Sequence, residues 1–397
     1  PLQQELLAPK SIADIVASRR CSEGSIRVRI EHCSPLIFTS TREIRKMKTR
    51  LIVCNASLLI LIVMSIAGSF PESGANPSIP DELSVSAAAS KFLTTLTEEQ
   101  KKKALSSYDD AARFQWHFIP KDFRKGLQLK EMNDDQRKAA DALLRSSLSL
   151  AGYSKAKKIM ELESLLAAIE KGRGAIRDSQ RYYFTLFGKP SKKNRWGLSI
   201  EGHHLSLNFV IESNQLIAVT PSFFAANPAV VKSDALPSVP RGTRVLADEE
   251  VLGFQLVNAL NEKQKSKAIF SKKAPREIRA AGEAQPPSEK PIGIRGKAMN
   301  PAQMSLLKNL VGAYAANFPK QIRQKKLDTI QSDGWDNLYF AWGGATQPGI
   351  GHYYRVEGDN VLIEFVNTQP DANGNPANHI HCVWRNPKGD FAIELKK

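Results

Sequence analysis

The chain has 397 residues, enough for about two to three domains or one large duplicated unit, and at 42% hydrophobic it can bury a sizeable core. Its formal charge of +16 suits a small-molecule or anionic substrate. No arginine stripe interleaves with stacking aromatics, and no finger or helix-turn-helix spacing occurs, so nucleic acid is not an expected partner. A Gly-x-Ser-x-Gly elbow, a phosphate-binding loop, a His-Glu-x-x-His pair and a Cys-x-x-Cys pair are all absent from the sequence.

Residues 1–46 lack helical or strand periodicity and read as a non-native upstream extension. Met47 opens a more coherent pattern. Lys48 and Arg50 form a basic start, Leu51 through Ala67 an apolar run, and Ala67-Gly68-Ser69 a small-residue cleavage site. The spacing predicts a signal peptide over 47–69, and hence a secreted or periplasmic protein with no stable membrane span after cleavage, or a membrane-anchored one if the signal stays. Residues 70–90, rich in Pro, Ser, Gly and Ala, are expected to be a linker.

Helices come next. Thr97 with Gln100 and Asn133 with Gln136 are spaced as capping boxes, and Leu162, Leu165, Leu166 and Ile169 form one helical face. After Asp178 the period changes: 182–188 and 196–210 alternate as strands. The Pro-rich stretch 227–242 reads as loop, helices resume at Asp248, Leu260 and Met299, and 271–297 reads as a long surface connection.

Four local patterns recur in order. Leu96 to Leu105 is matched by Leu260 to Ile269, Met132 to Gln136 by Met299 to Gln303, Tyr183-Phe184 by Tyr339-Phe340, and Ile200-Glu201-Gly202 by Val356-Glu357-Gly358. The expected architecture is therefore α+β: an internally duplicated unit of helices followed by antiparallel strands, with halves 91–245 and 246–397 related by a pseudo-twofold within one compact domain. The halves differ where chemistry would diverge. Glu201-Gly202 leads into His203-His204, whereas Glu357-Gly358 leads into Asp359-Asn360, and Asn208 corresponds to Glu364.

Two blocks carry a family resemblance. The first runs from Trp196-Gly197 through Glu201-Gly202-His203-His204 to Asn208-Phe209, with Pro221, Phe223, Asn227 and Pro228. The second comprises Gly351 to Arg355, Ile363-Glu364-Phe365, Asn378-His379-Ile380-His381 and Trp384-Arg385. Together they resemble the signatures of the domain-of-unknown-function 3500 family over about residues 90–395. The resemblance implies a protein found behind a signal peptide and brings no activity with it. At the end, Asp390-Phe391-Ala392 stands where the resemblance leads one to expect Asp-Phe-Gly.

Five of the seven histidines lie in these blocks. In a strand, His379 and His381 share a face, and continued alternation puts Glu201 and His203 on one face with His204 on the other. The expected metal ligands are His203, His352, His379 and His381, with Glu201 or Glu364 as catalytic carboxylate and Zn, Cu or Fe as the ion. His204, Arg355, Arg385 and Trp384 are candidate substrate contacts, although Arg355 and Arg385 could equally pair with Glu357 and Asp390. Cys382 faces away from the histidines and reads as a buried thiol. The function expected is a metal-dependent hydrolase or oxidoreductase. The alternative is a non-enzymatic ligand-binding protein whose groove is lined by Trp196, Tyr353, Tyr354 and Trp384, with each imidazole hydrogen-bonded in the core.

Overall fold

A computed structural model of the chain describes residues 84–171 and 176–395. The upstream stretch 1–46 and the signal-peptide pattern 47–69 lie outside the described residues. So does most of the linker, but a helix already begins at Val85, inside the 70–90 stretch.

The described residues form eight helices and a large mixed sheet. In chain order the elements are α1 (Val85–Thr95), α2 (Glu98–Ala104), β1 (Leu105–Ser106), β2 (Leu127–Gln128), α3 (Asp134–Ser147), α4 (Leu150–Ile169), β3 (Tyr183–Phe187), β4 (Trp196–Gly202), β5 (Leu205–Glu212), β6 (Gln215–Ala218) and β7 (Ser222–Ala226). Then follow α5 (Ala247–Ala259), α6 (Glu262–Ala268), β8 (Ile269–Ser271), β9 (Ile294–Arg295), α7 (Pro301–Ala315), α8 (Lys320–Asp333), β10 (Tyr339–Gly344), β11 (His352–Gly358), β12 (Val361–Asn367) and β13 (Ile380–Arg385). Among the described residues, no helix is long and apolar enough to cross a membrane.

Local chemistry explains where the helices start. Thr97, Asn133, Asn261 and Asn300 each accept from the backbone N–H three residues on, and Gln100, Gln136, Gln264 and Gln303 each accept in return from the cap's own N–H. These glutamines also hold one another. Gln136 Nε2 donates to Gln100 Oε1 at 2.7 Å, and Gln303 Nε2 to Gln264 Oε1 at 2.9 Å. Each capping box thus fixes the start of its own helix and clamps that helix to a neighbour.

The strand order is β1-β3-β4-β5-β7-β13-β12-β11-β10-β8. Adjacent strands are antiparallel, except that β1 runs parallel to β3 and β8 parallel to β10. The sheet is therefore mixed where only antiparallel strands were expected, because short strands that follow helices add to both edges.

Both faces of the sheet are covered, so the central strands are buried along nearly their whole length, polar positions included. Ile380, Cys382 and Trp384 join the main core with the helices, whereas Val383 joins a smaller cluster with Trp116, Phe118, Phe223 and Ile278. The stretch 271–297 is not the free surface connection expected of it: Ile278 is buried in that second cluster, and Glu277 and Arg279 reach over the sheet.

Candidate metal centre

The centre is assembled on the second face, where three segments meet. The β4–β5 hairpin closes through a two-residue turn, His203-His204, between the paired Gly202 and Leu205. His204 takes φ 64, a left-handed conformation unusual for a residue with a Cβ. The turn is anchored from three sides: His204 N donates to Phe118 O at 2.9 Å, Ala225 N donates to His204 O at 2.9 Å, and Tyr182 Oη donates to His203 O at 2.8 Å. Gly202 is required there, because a Cβ on it would lie 2.2 Å from the Tyr182 ring.

His379 immediately precedes β13, and its N–H is held by Asn367 Oδ1 at 3.0 Å. The neighbouring Asn378 is locked by Val230 and Asp371, which fixes the chain entering the strand. His381 sits within β13, opposite Ala225 of β7 and Val366 of β12, with its ring packed against Phe118 and Phe223.

The three rings converge through Nε2. His379 Nε2 is 2.9 Å from His204 Nε2 and 3.0 Å from His381 Nε2. On its other side, His381 Nδ1 lies 2.8 and 2.9 Å from the two Glu277 carboxylate oxygens, so Nδ1 carries the proton and Nε2 presents a lone pair. Burial, helped by His381, His203 and Arg177, pushes the His379 imidazole down to about 2. Burial and then the surrounding histidines push His204 well below its ordinary value. The His204 and His379 rings are therefore neutral at ordinary pH.

A ring nitrogen carries one proton or one lone pair, so His379 Nε2 can satisfy only one of its two neighbours. A cation between the three satisfies all of them. Ligand nitrogens on a tetrahedral zinc, at 2.0–2.1 Å each, stand about 3.3 Å apart, so the two pairs that share His379 need to open by only a few tenths of an ångström.

The model of the family described as Protein of unknown function (DUF3500) matches residues 81–393. The chain belongs to that family. No curated protein and no solved structure matches the chain.

In this DUF3500 protein, the expected ligands are only partly gathered. His379 and His381 meet as the strand alternation predicts, and the third imidazole is His204, the residue expected to face away. Alternation fails at His203-His204 because those residues are the turn and not the strand. His203 lies beside the centre: its ring centroid is 3.5 Å from that of His204, and its Nδ1 is 2.6 Å from Glu163 Oε1 of α4.

His352 is not brought to the cluster. Its ring faces the main core, stacked on Trp342 and Phe365 and tilted against Phe254, with Nδ1 on Ile350 O and Nε2 3.2 Å from Glu250. His352 pairs with Asn367 and Asn367 with Ile380, a register that puts it on the sheet face opposite His381.

The two candidate carboxylates are on the correct face but occupied. Glu201 pairs with Lys125 Nζ at 2.6 Å and accepts from Ser199, while Glu364 accepts from Arg279 Nε at 2.8 Å and from Tyr353 Oη at 2.6 Å. The candidate substrate contacts are also turned inward. Arg355 pairs with Glu357 at 2.9 Å and Arg385 with Asp390 at 2.7 Å, and Arg385 further donates to Ala280 O and Glu283 O. Trp384 is buried between Phe318 and Lys326, and Trp196, Tyr353 and Tyr354 are buried too, so the four aromatics line no open groove.

Sequence reasoning missed two acidic residues. Glu163 had a detectable signal: it falls in the apolar stripe of α4 between Ile159 and Leu166, where an unpaired carboxylate is out of place. Glu277 had none, since it lies in a Pro-rich connection whose path over the sheet no local pattern encodes.

Proposed function

We propose that His204, His379 and His381 hold a transition metal, Zn, Cu or Fe, and that the protein uses it in hydrolytic or oxidative chemistry on a small anionic substrate. The observation that carries this reading is the convergence of three Nε2 atoms, His379 at 2.9 Å from His204 and 3.0 Å from His381, the last ring backed by the Glu277 carboxylate. Three histidines would leave a fourth position open for water or substrate, and a metal held there would supply Lewis acidity or a bound water of lowered pKa. Cys382 points into the opposite core, so the donor set is all nitrogen, which suits Zn or Cu(II) better than Cu(I). A narrow recess beside His203 is lined by Lys121, Arg124 and Arg181 with Asp178 and Glu163, a rim whose cations favour an anion.

The reading includes two further parts. Location beyond the cytoplasmic membrane is supported by the sequence pattern at 47–69. Duplication of the 91–245 and 246–397 halves about a pseudo-twofold is supported by the recurrent sequence blocks and by paired capping glutamines in each half.

The test is elemental mass spectrometry of the purified protein beside a His379→Ala/His381→Ala double variant. Near-stoichiometric metal in the wild type, lost by a variant with unchanged circular dichroism, is the expected result. A wild type still empty after reconstitution with Zn, Cu and Fe would overturn it. That outcome would favour ligand binding without catalysis, for which the cleft of ≈ 400 Å³ lined by Trp116, His117, Phe123 and Lys125 is suited, Phe123 being 91% exposed.

A further inference from the structure

The three-histidine centre uses one nitrogen of His204. The other, Nδ1, is turned toward Glu163, whose Oε1 lies 3.8 Å from it and 2.6 Å from His203 Nδ1. Both residues are buried, and two of their atoms, His204 Nδ1 and Glu163 Oε2, have no hydrogen-bond partner among the described residues. A buried polar atom left unpaired is costly, so two of them on neighbouring buried side chains of one site point to something that completes them.

Resting on the metal reading above, we infer that Glu163, His203 and His204 form a second cation position, and that the His204 imidazole bridges the two ions through Nε2 and Nδ1. The two lone pairs of an imidazolate point in opposite directions from one ring, so one residue can serve both ions without sharing a donor atom. The second ion is a divalent transition metal, since two imidazole nitrogens and one carboxylate oxygen are borderline ligands that suit Zn or Cu(II).

Protons balance as follows. His203 shifts its ring proton from Nδ1 to Nε2 through solvent, and His204 releases one proton to solvent on becoming the bridge. The charges of the imidazolate and of Glu163 then offset that of the incoming ion. Arg177 stands at the margin: its Nη1 is 3.0 Å from His203 Nδ1, while Glu170 holds it through two hydrogen bonds. Its guanidinium opposes a second cation and must withdraw toward Glu170 when that ion enters.

The whole protein, loaded with Cu(II), tests this by metal count and electron paramagnetic resonance together. The expected wild type holds two equivalents with a signal integrating to well below two spins, because ions sharing one imidazolate couple. A Glu163→Gln/His203→Ala variant is expected to hold one equivalent with its full single spin. Arg177→Ala, which leaves every ligand in place, is expected to bind the second equivalent several-fold more tightly, so a poorly folded double variant does not decide the matter. One equivalent in the wild type, or two that are both fully visible, would overturn the bridge and leave the three-histidine site standing. No bound copper in the wild type would overturn the bridge, and only a protein that also stayed empty with Zn and Fe would take the three-histidine reading with it.

Discussion

At the scale of single residues, Glu277 has the most specific task. By accepting from His381 Nδ1, it sets the tautomer that turns a lone pair toward the centre, and it holds the ring in that orientation. Glu277→Ala is expected to weaken metal binding by about 10–100-fold, measured by competition with a chromophoric chelator. The melting temperature of the apoprotein should hardly change, because the Glu277 side chain is one-third exposed and surface substitutions typically shift stability by no more than about 0.5 kcal/mol. An equal loss of binding and stability would mean that Glu277 acts on the fold and not on the ring. The pairing of His379 with His381 was legible because it needs only the alternation within one strand. The third imidazole and the outer carboxylate were not, because they depend on which segments the sheet brings alongside.

The β4–β5 hairpin is the element that makes the site, and it was the least legible one. The run 196–210 alternates without an Asn-Gly or Asp-Gly signal, so it reads as one strand, yet it folds back at His203-His204. A histidine at φ 64 is a costly turn residue, held by the contacts to Phe118, Ala225 and Tyr182. His204→Gly is therefore expected to keep or raise the melting temperature while abolishing metal binding. Gly202→Ala is the converse experiment: its Cβ meets the Tyr182 ring, and the displacement should cost about 1–3 kcal/mol in urea denaturation. It should weaken metal binding as well, by moving His204. If His204→Gly destabilised the protein by as much as Gly202→Ala, the backbone would not be strained there. The helices posed no such difficulty. Thr97 with Gln100 and Asn133 with Gln136 predict their helix starts from four consecutive residues each, and the structure has both boxes.

Across the whole molecule, the sheet divides the histidines between two jobs. Those on the face with Phe118 and Phe223 meet at the β7–β13 seam, whereas His352 on the opposite face ties α5 to β11 and β12 through Glu250. Burial alone would raise the Glu250 pKa, but hydrogen bonds from His352 and Asn367, with the charges of His352 and Arg244, outweigh it and leave the carboxyl below its ordinary value. A carboxylate whose pKa is lower in the folded than in the unfolded chain contributes stability above the unfolded value of about 4.3, and that contribution is lost as pH falls through the folded value. Glu250→Gln should accordingly be less stable than wild type at pH 7, and the two unfolding free energies should draw together as the pH is lowered below about 4.3. Urea denaturation at several pH values between 7 and 3 measures this, and a constant gap across that range would mean that the Glu250 charge contributes nothing. The metal content of Glu250→Gln at pH 7 is expected to equal that of wild type, because this network and the three-histidine centre lie on opposite faces of the sheet. A variant that lost both stability and metal would show that the two faces are coupled through β12, whose Asn367 bonds both Glu250 and the His379 backbone.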